Sequence, residues 1–248
     1  MQSLPKKAKK IELFGEQKKV LLLDPKKPVQ IKGVAGSGKT TVAIFRARHL
    51  LENYSELFQE TNVAVFMYTK TLVNYVDYLV SGNVASEDID HTLRGLTVVN
   101  FHKWAWGFLS DRGVFPKLRV TESKHLDTYI FSAIAPLKRF NPAAKILHKP
   151  LVFFKEEISW IKGKVIKDKS EYMSAKRVGR GTSDRVTKDD RDYIWQVYEG
   201  YQRQLLRENK VDFDDFALLV LSEIENDDTF DPPFTHIVVD EAQDLTKA

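Results

Sequence analysis

The sequence predicts an α/β fold: a parallel sheet with helices on both faces, interrupted by a mostly helical insertion. Three observations carry it. Val/Ile-rich runs recur near both ends of the chain, and a glycine-rich loop joins one of them to a helical pattern. From about Ala105 to Asn209 helical periodicity continues without a convincing buried strand. Apolar runs separated by helices fit parallel strands that are buried on both sides.

"PVQIKG" (28–33) predicts a buried strand running straight into the glycine loop. From Thr40, "TVAIFRARHLLENY" sets Val42, Ala43, Phe45, Ala47 and Leu50 on a broad apolar face, as a helix would. "NVAVFMYT" (Asn62 to Thr69) and "LTVVNF" (Leu96 to Phe101) predict two further strands. "THIVVDEAQD" supplies another, Thr235 to Val239, behind the breaker "DPPF". In the insertion, "TKDDRDYIWQVYEGYQRQLLRENK" places Ile194, Val197, Tyr198, Tyr201 and Leu205 on one side of a helix. "KGKVIKDKSEYMSAKRVGRGTSDR" is polar and basic, and predicts a mobile loop with short helices.

Composition narrows the classes. A chain of 248 residues with 43% hydrophobic and 29% charged residues is ordinary for a globular protein. No apolar run approaches the roughly 20 residues of a membrane span. The basic start "MQSLPKKAKK" lacks an apolar signal core. Zero cysteines exclude disulfides and thiolate metal sites, and the six histidines lack ligand spacing. The expected location is cytoplasmic, with no membrane partner. A net charge of +4 leans weakly toward a polyanionic partner.

"GVAGSGKTT" carries the chemistry. Gly33-x-x-x-x-Gly38-Lys39-Thr40 follows an apolar run and opens a helical pattern, the context in which such a loop cradles phosphate. Its glycines let successive N–H groups turn toward phosphate oxygens, and the helix start adds partial positive charge. Gly33, Ala35, Gly36, Ser37, Gly38, Lys39, Thr40 and Thr41 are the expected phosphate-site residues. Lys39 faces the β- and γ-phosphates, and Thr40 is a Mg²⁺ ligand. The second motif, "HIVVDEAQD", ends an apolar strand in two carboxylates, at the sheet edge where open α/β folds bind ligands. Asp240 is expected to hold Mg²⁺, and Glu241 to orient and deprotonate an attacking water. Together the motifs predict hydrolysis of a nucleoside triphosphate.

These motifs resemble the N-terminal half of a superfamily 1A DNA helicase of the UvrD/Rep/PcrA type. "DEAQ" matches that group's DExQ form, and the resemblance makes Gln243 a sensor of nucleotide state, counted with Lys39 and Glu241 among the catalytic residues. "FGEQKKVLL" resembles the upstream glutamine motif, making Gln17 the reader of the adenine edge. "VAVFMYTKTLVNYV" and "TVVNFHKWAW" stand where motifs Ia and Ib lie, and "KVDFDDFALLVL" resembles the segment returning to the α/β core. Motif Ia departs from the form rich in Ala and Glu.

The resemblance implies a first RecA-like domain of the P-loop NTPase class in two parts, 1–105 and 210–248, around a helical domain 106–209. It implies ATP and Mg²⁺ as cofactors and single-stranded or partly duplex DNA as partner. It also implies a second RecA-like domain with an arginine finger beyond Ala248, so the chain alone is expected to hydrolyse slowly and not to unwind. Polarity, 3′ to 5′, rests on the resemblance. Tyr68, Thr69, Lys70, Phe101 and His102 are the expected strand contacts, through stacking and backbone charge. Trp104 and Trp106 read as core packing or as stacking surfaces, and Lys162 to Arg185 as a solvated surface or a strand-flanking lobe. A regulatory or defence module that binds nucleotide without translocating, and an RNA-directed helicase, are the rival functions.

Overall fold

The computed structural model describes residues 13–34, 36–54, 61–67, 95–177 and 186–247. The chain forms two compact units, Met1–Trp104 with Thr229–Asp244 and Ala105–Asp228 with Leu245–Ala248. The described elements begin with α1 (Glu16–Leu21), α2 (Lys39–Asn53), β1 (Val63–Met67), β2 (Leu96–Asn100), α3 (Phe101–Asp111), β3 (Arg119–Val120) and α4 (Ser123–Phe140). There follow α5 (Leu151–Gly163), α6 (Lys169–Ser174), α7 (Lys188–Arg207), β4 (Lys210–Val211), α8 (Asp215–Glu225) and β5 (His236–Val239). Among the described residues, no helix is long and apolar enough to cross a membrane.

In the first unit β1 pairs in parallel with β2 and with β5, giving the order β2-β1-β5. The period of two on β1 separates its faces. Val63, Val65 and Met67 pack with Ile44, Ala47 and Leu50 of α2 into one core. Phe66, between them, meets Phe101, Trp104 and Phe234 edge-on, with centroids 5.5–6.2 Å away. The parallel α/β architecture follows directly, with α2 covering β1 on one side and an aromatic cluster on the other.

Two details depart from the sequence reading. Residues 28–33 form no strand, and Val29 and Ile31 are 48% and 44% exposed. A strand needs a ladder partner for its backbone, no described strand pairs with this segment, and Pro28 has no N–H to offer. On α2, Ile44 is buried in place of Phe45, because Ile44, Ala47 and Leu50 form the row that touches the sheet.

The second unit is mostly helical. A capping box between Thr187 and Asp190 starts α7, and its Ile194, Val197, Tyr201 and Leu205 are buried in the core. Gly200 lets α4 approach closely, since a Cβ there would stand 2.9 Å from that of Ala133. The second unit also holds a parallel two-strand pairing, β3 with β4, too short to leave a pattern in sequence. α6 supplies the short helix expected in the basic stretch, of which 178–185 lie outside the described residues.

Lys162 departs from the reading of that stretch as a solvated surface or strand-flanking lobe. It is fully buried on α5, with Nζ 2.6 Å from both Asp212 Oδ2 and Asp215 Oδ1. Tyr201 donates its hydroxyl to Asp212 Oδ2 at 2.6 Å. Asp212 and Asp215 also accept each other's N–H groups, at 2.9 and 3.0 Å, around the start of α8. Burial works against the Lys162 charge, but the two carboxylates outweigh it and hold its pKa above the ordinary value. That contribution to stability is present below the unfolded pKa of about 10.4 and is lost only as pH rises through the folded one. Lys162→Met strands two buried carboxylates side by side. At pH 7 it is expected to cost about 3–5 kcal/mol in urea unfolding, and a loss under about 1 kcal/mol, the scale of an exposed pair, would contradict this account of the cluster.

Candidate active site

The site forms at the carboxyl edge of the sheet. The register sets Met67 beside Asn100 and Phe66 beside Val239, so the residues after β2 and β5 emerge together. Asp240 continues the β5 ladder by one bond, its N–H donating to Phe66 O at 3.0 Å. Its side chain is buried. From the opening turn of α2, Thr40 Oγ1 donates to Asp240 Oδ2 at 2.7 Å, across 200 residues of sequence. The glycine loop and the acidic pair therefore meet.

Glu241 follows with φ 53, in the left-handed region. A residue with a Cβ holds that conformation at a cost of about 1–2 kcal/mol, and such strain collects at functional sites. Asp240 Oδ1 steadies the turn by accepting the Glu241 N–H at 3.1 Å. Gln243 Nε2 donates to Glu241 Oε2, so the two residues of the DExQ motif touch directly.

In the loop, Gly38 sits at φ 81 and caps α2. A Cβ at Gly38 would lie 3.0 Å from Gln17 Nε2, and one at Gly33 2.7 Å from Ser37 Oγ. Lys39 Nζ donates to Gly33 O and Val34 O, each at 3.0 Å, which draws its charge back over the loop. Gln17 Nε2 donates to Ser37 O at 2.9 Å, and its Oε1 accepts the Phe14 N–H at 3.1 Å. Gln17 thus joins the loop as well as lying beside it. Thr41, half-buried, continues α2, and Ala35 lies outside the described residues. Thr40 and Asp240 bring together two hard oxygen donors. That set suits Mg²⁺, which takes few protein ligands and completes its shell with water and phosphate oxygens.

At the end of β2 the expected strand contacts divide. His102 and Lys103 are exposed at the start of α3. Phe101 is half-buried, its ring edge-on to Phe66 and to His102. Trp104 takes its packing role, with its centroid 5.5 Å from Phe66 and 6.2 Å from Phe234. Trp106, in the second unit, stacks on Phe115 at 4.5 Å and stays 47% exposed. Tyr68, Thr69 and Lys70 lie outside the described residues.

The UvrD/REP helicase N-terminal domain family matches residues 13–248. The chain belongs to this family. No curated protein matches it.

Two residues of this helicase domain escaped the sequence reading. Asn100 Oδ1 accepts the His102 N–H at 2.9 Å and its Nδ2 donates to Met67 O at 3.3 Å, fixing the strand-to-helix corner that presents His102. An Asn just before a helix is a capping signal, and it was there to be read. Arg46 is buried on α2 and bonds to carbonyls at the end of α1. Nothing local distinguishes it from a solvated helix arginine. Gly38→Ala in this domain adds a Cβ where φ disfavours one and where the Gln17 amide lies. It is expected to lower the unfolding free energy by about 1–2 kcal/mol, and a urea midpoint matching wild type would remove the strain from the account.

Proposed function

We propose that the chain is the ATP-binding N-terminal portion of a helicase that couples ATP hydrolysis to 3′-to-5′ movement on single-stranded DNA. The observation that carries the reading is the bond from Thr40 to Asp240, because it puts the glycine loop and the acidic strand end, the two motifs of a phosphate site, in direct contact. The domain plan proposed with it is a RecA-like domain in two parts, 1–105 and 210–248, around a helical insertion, 106–209.

Each residue then has a task. Lys39 leaves the carbonyls of Gly33 and Val34 for the β- and γ-phosphates, a short move for a flexible ammonium. Gln17 reads the adenine edge. Thr40 and Asp240 hold Mg²⁺, whose chemistry is to neutralise charge on the phosphate oxygens. Glu241 takes a proton from the attacking water, whose oxygen bonds the γ-phosphorus as the bond to the ADP oxygen breaks. Gln243, in contact with Glu241, relates the state of that carboxylate to the rest of the enzyme. A second RecA-like domain would close on this face and bring an arginine finger. His102, at the edge that Asp240 shares, contacts DNA together with Phe101, Tyr68, Thr69 and Lys70, through stacking and backbone charge.

The test uses the full-length protein. Single-stranded DNA is expected to stimulate its ATP hydrolysis at least about tenfold, and Glu241→Gln to lose turnover by about 100-fold or more while binding Mg-ATP as wild type does. Turnover indifferent to DNA favours a nucleotide switch that does not translocate, and stronger stimulation by RNA favours an RNA-directed enzyme. Wild-type turnover by the Glu241→Gln protein removes Glu241 from the base role.

A further inference from the structure

We propose that Arg46 is the positioning residue for the base-reading end of the nucleotide site. It holds the short helix that carries Gln17 against the helix that carries Lys39 and Thr40. The inference rests on the proposed role of Gln17 as adenine reader, and goes beyond it.

The need for such a residue is plain from α1. It spans six residues, Glu16–Leu21, and none of them is buried. A helix this short does not persist on its own propensity. Leu13, just before it, is buried and anchors the entry, while at the exit Val20 and Leu21 are only half-buried. The last carbonyls of a helix have no partner inside it and carry partial negative charge. Arg46 meets that end. Its Nη1 donates to Leu21 O, and its Nη2 to Leu23 O at 2.6 Å. The rigid guanidinium fork spans two acceptors in a way that an ammonium does not. With 9% of its surface exposed, it does so largely out of water, where a charge-assisted bond is stronger than at the surface.

The position of Arg46 along α2 gives the contact its consequence. It lies about two turns beyond Lys39 on one continuous helix, so α1 is referenced to the element that fixes the triphosphate. At the near end, Gln17 grips Ser37 O. The two ties together set the distance between base and phosphate contacts, although Arg46 itself bonds only to backbone carbonyls of the α1 end among the hydrogen bonds described. Without it, α1 keeps the Gln17 bond, the Leu13 anchor and the partial burial of Val20 and Leu21, but the end of the helix is no longer tied to α2 by hydrogen bonds, and the amide loses its fixed place. The glycine loop, Thr40 and Asp240 keep their own bonds.

Comparison of two ligands separates this role from a general one. Mg-ATP carries the base, and Mg-tripolyphosphate offers a similar anion without it. Calorimetry on the whole 248-residue chain is expected to show wild type favouring ATP. Arg46→Met lowers the ratio of the two affinities by about three- to tenfold and leaves tripolyphosphate binding unchanged. Arg46→Lys, which keeps the charge and loses the fork, shifts the ratio the same way by less. Gln17→Ala lowers it like Arg46→Met, and the double variant lowers it no further. A wild-type ratio in both Arg46 variants overturns the proposal, as does equal loss of both ligands, which would make Arg46 a support of the fold or of the loop. Should Arg46→Met fail to fold, Arg46→Lys decides, and an unchanged ratio there overturns it. If wild type shows no preference for ATP over tripolyphosphate, base reading by Gln17 fails first and the Arg46 role falls with it.

Discussion

One hydrogen bond, from the Thr40 hydroxyl to the Asp240 carboxylate, joins the start of α2 to the end of β5. A single bond of this kind contributes about 1 kcal/mol net, so it does not itself bring the two segments together. The core does that. Ile44, Ala47 and Leu50 seat α2 on Val63, Val65 and Met67, and β1 sets the level of β5 through Phe66 and Val239. A slip of one residue in that register would turn Asp240 to the other face of the sheet and end the contact. The acidic pair reaches the loop because a few apolar side chains fix where a strand stops.

The charges in the molecule are spent unevenly. The composition suggests a mildly basic protein available to a polyanion. Yet Lys162 is paired with Asp212 and Asp215 inside the second unit, and Arg177 with Glu157, which also accepts the Tyr172 hydroxyl at 2.7 Å. Arg46 is committed to carbonyls in the first unit. These cations organise helices and are not free to grip a strand. The "VDFDDF" segment gains a physical reason as well, since its carboxylates start α8 and hold the buried ammonium of α5. Net charge is therefore a poor guide to where a polyanion would bind.

What could be read from sequence was what is local. The glycine loop, the strand running into Asp240 and Glu241, and the apolar stripe of α7 each sit within one stretch whose period or residue types determine its structure. The family of helicase domains was legible for the same reason, because its motifs are short and chemically specific. The misreadings involve partners distant in sequence. Segment 28–33 has the composition of a strand, but its fate depends on a ladder neighbour. Lys162 sits among basic residues, and its acidic partners come some fifty residues later. Arg46 looks like any helix arginine until α1 is folded beside it.

The central claim is that the Lys39-Thr40 pair and the Asp240-Glu241 pair form one magnesium-triphosphate site. A crystal structure of the chain with Mg²⁺ and a non-hydrolysable ATP analogue tests it most directly. The account predicts Lys39 Nζ moved from the carbonyls of Gly33 and Val34 onto phosphate oxygens, with Thr40 and Asp240 both turned to the cation. Phosphates held elsewhere, with the bonds of Lys39 and Thr40 left as they are here, would contradict it.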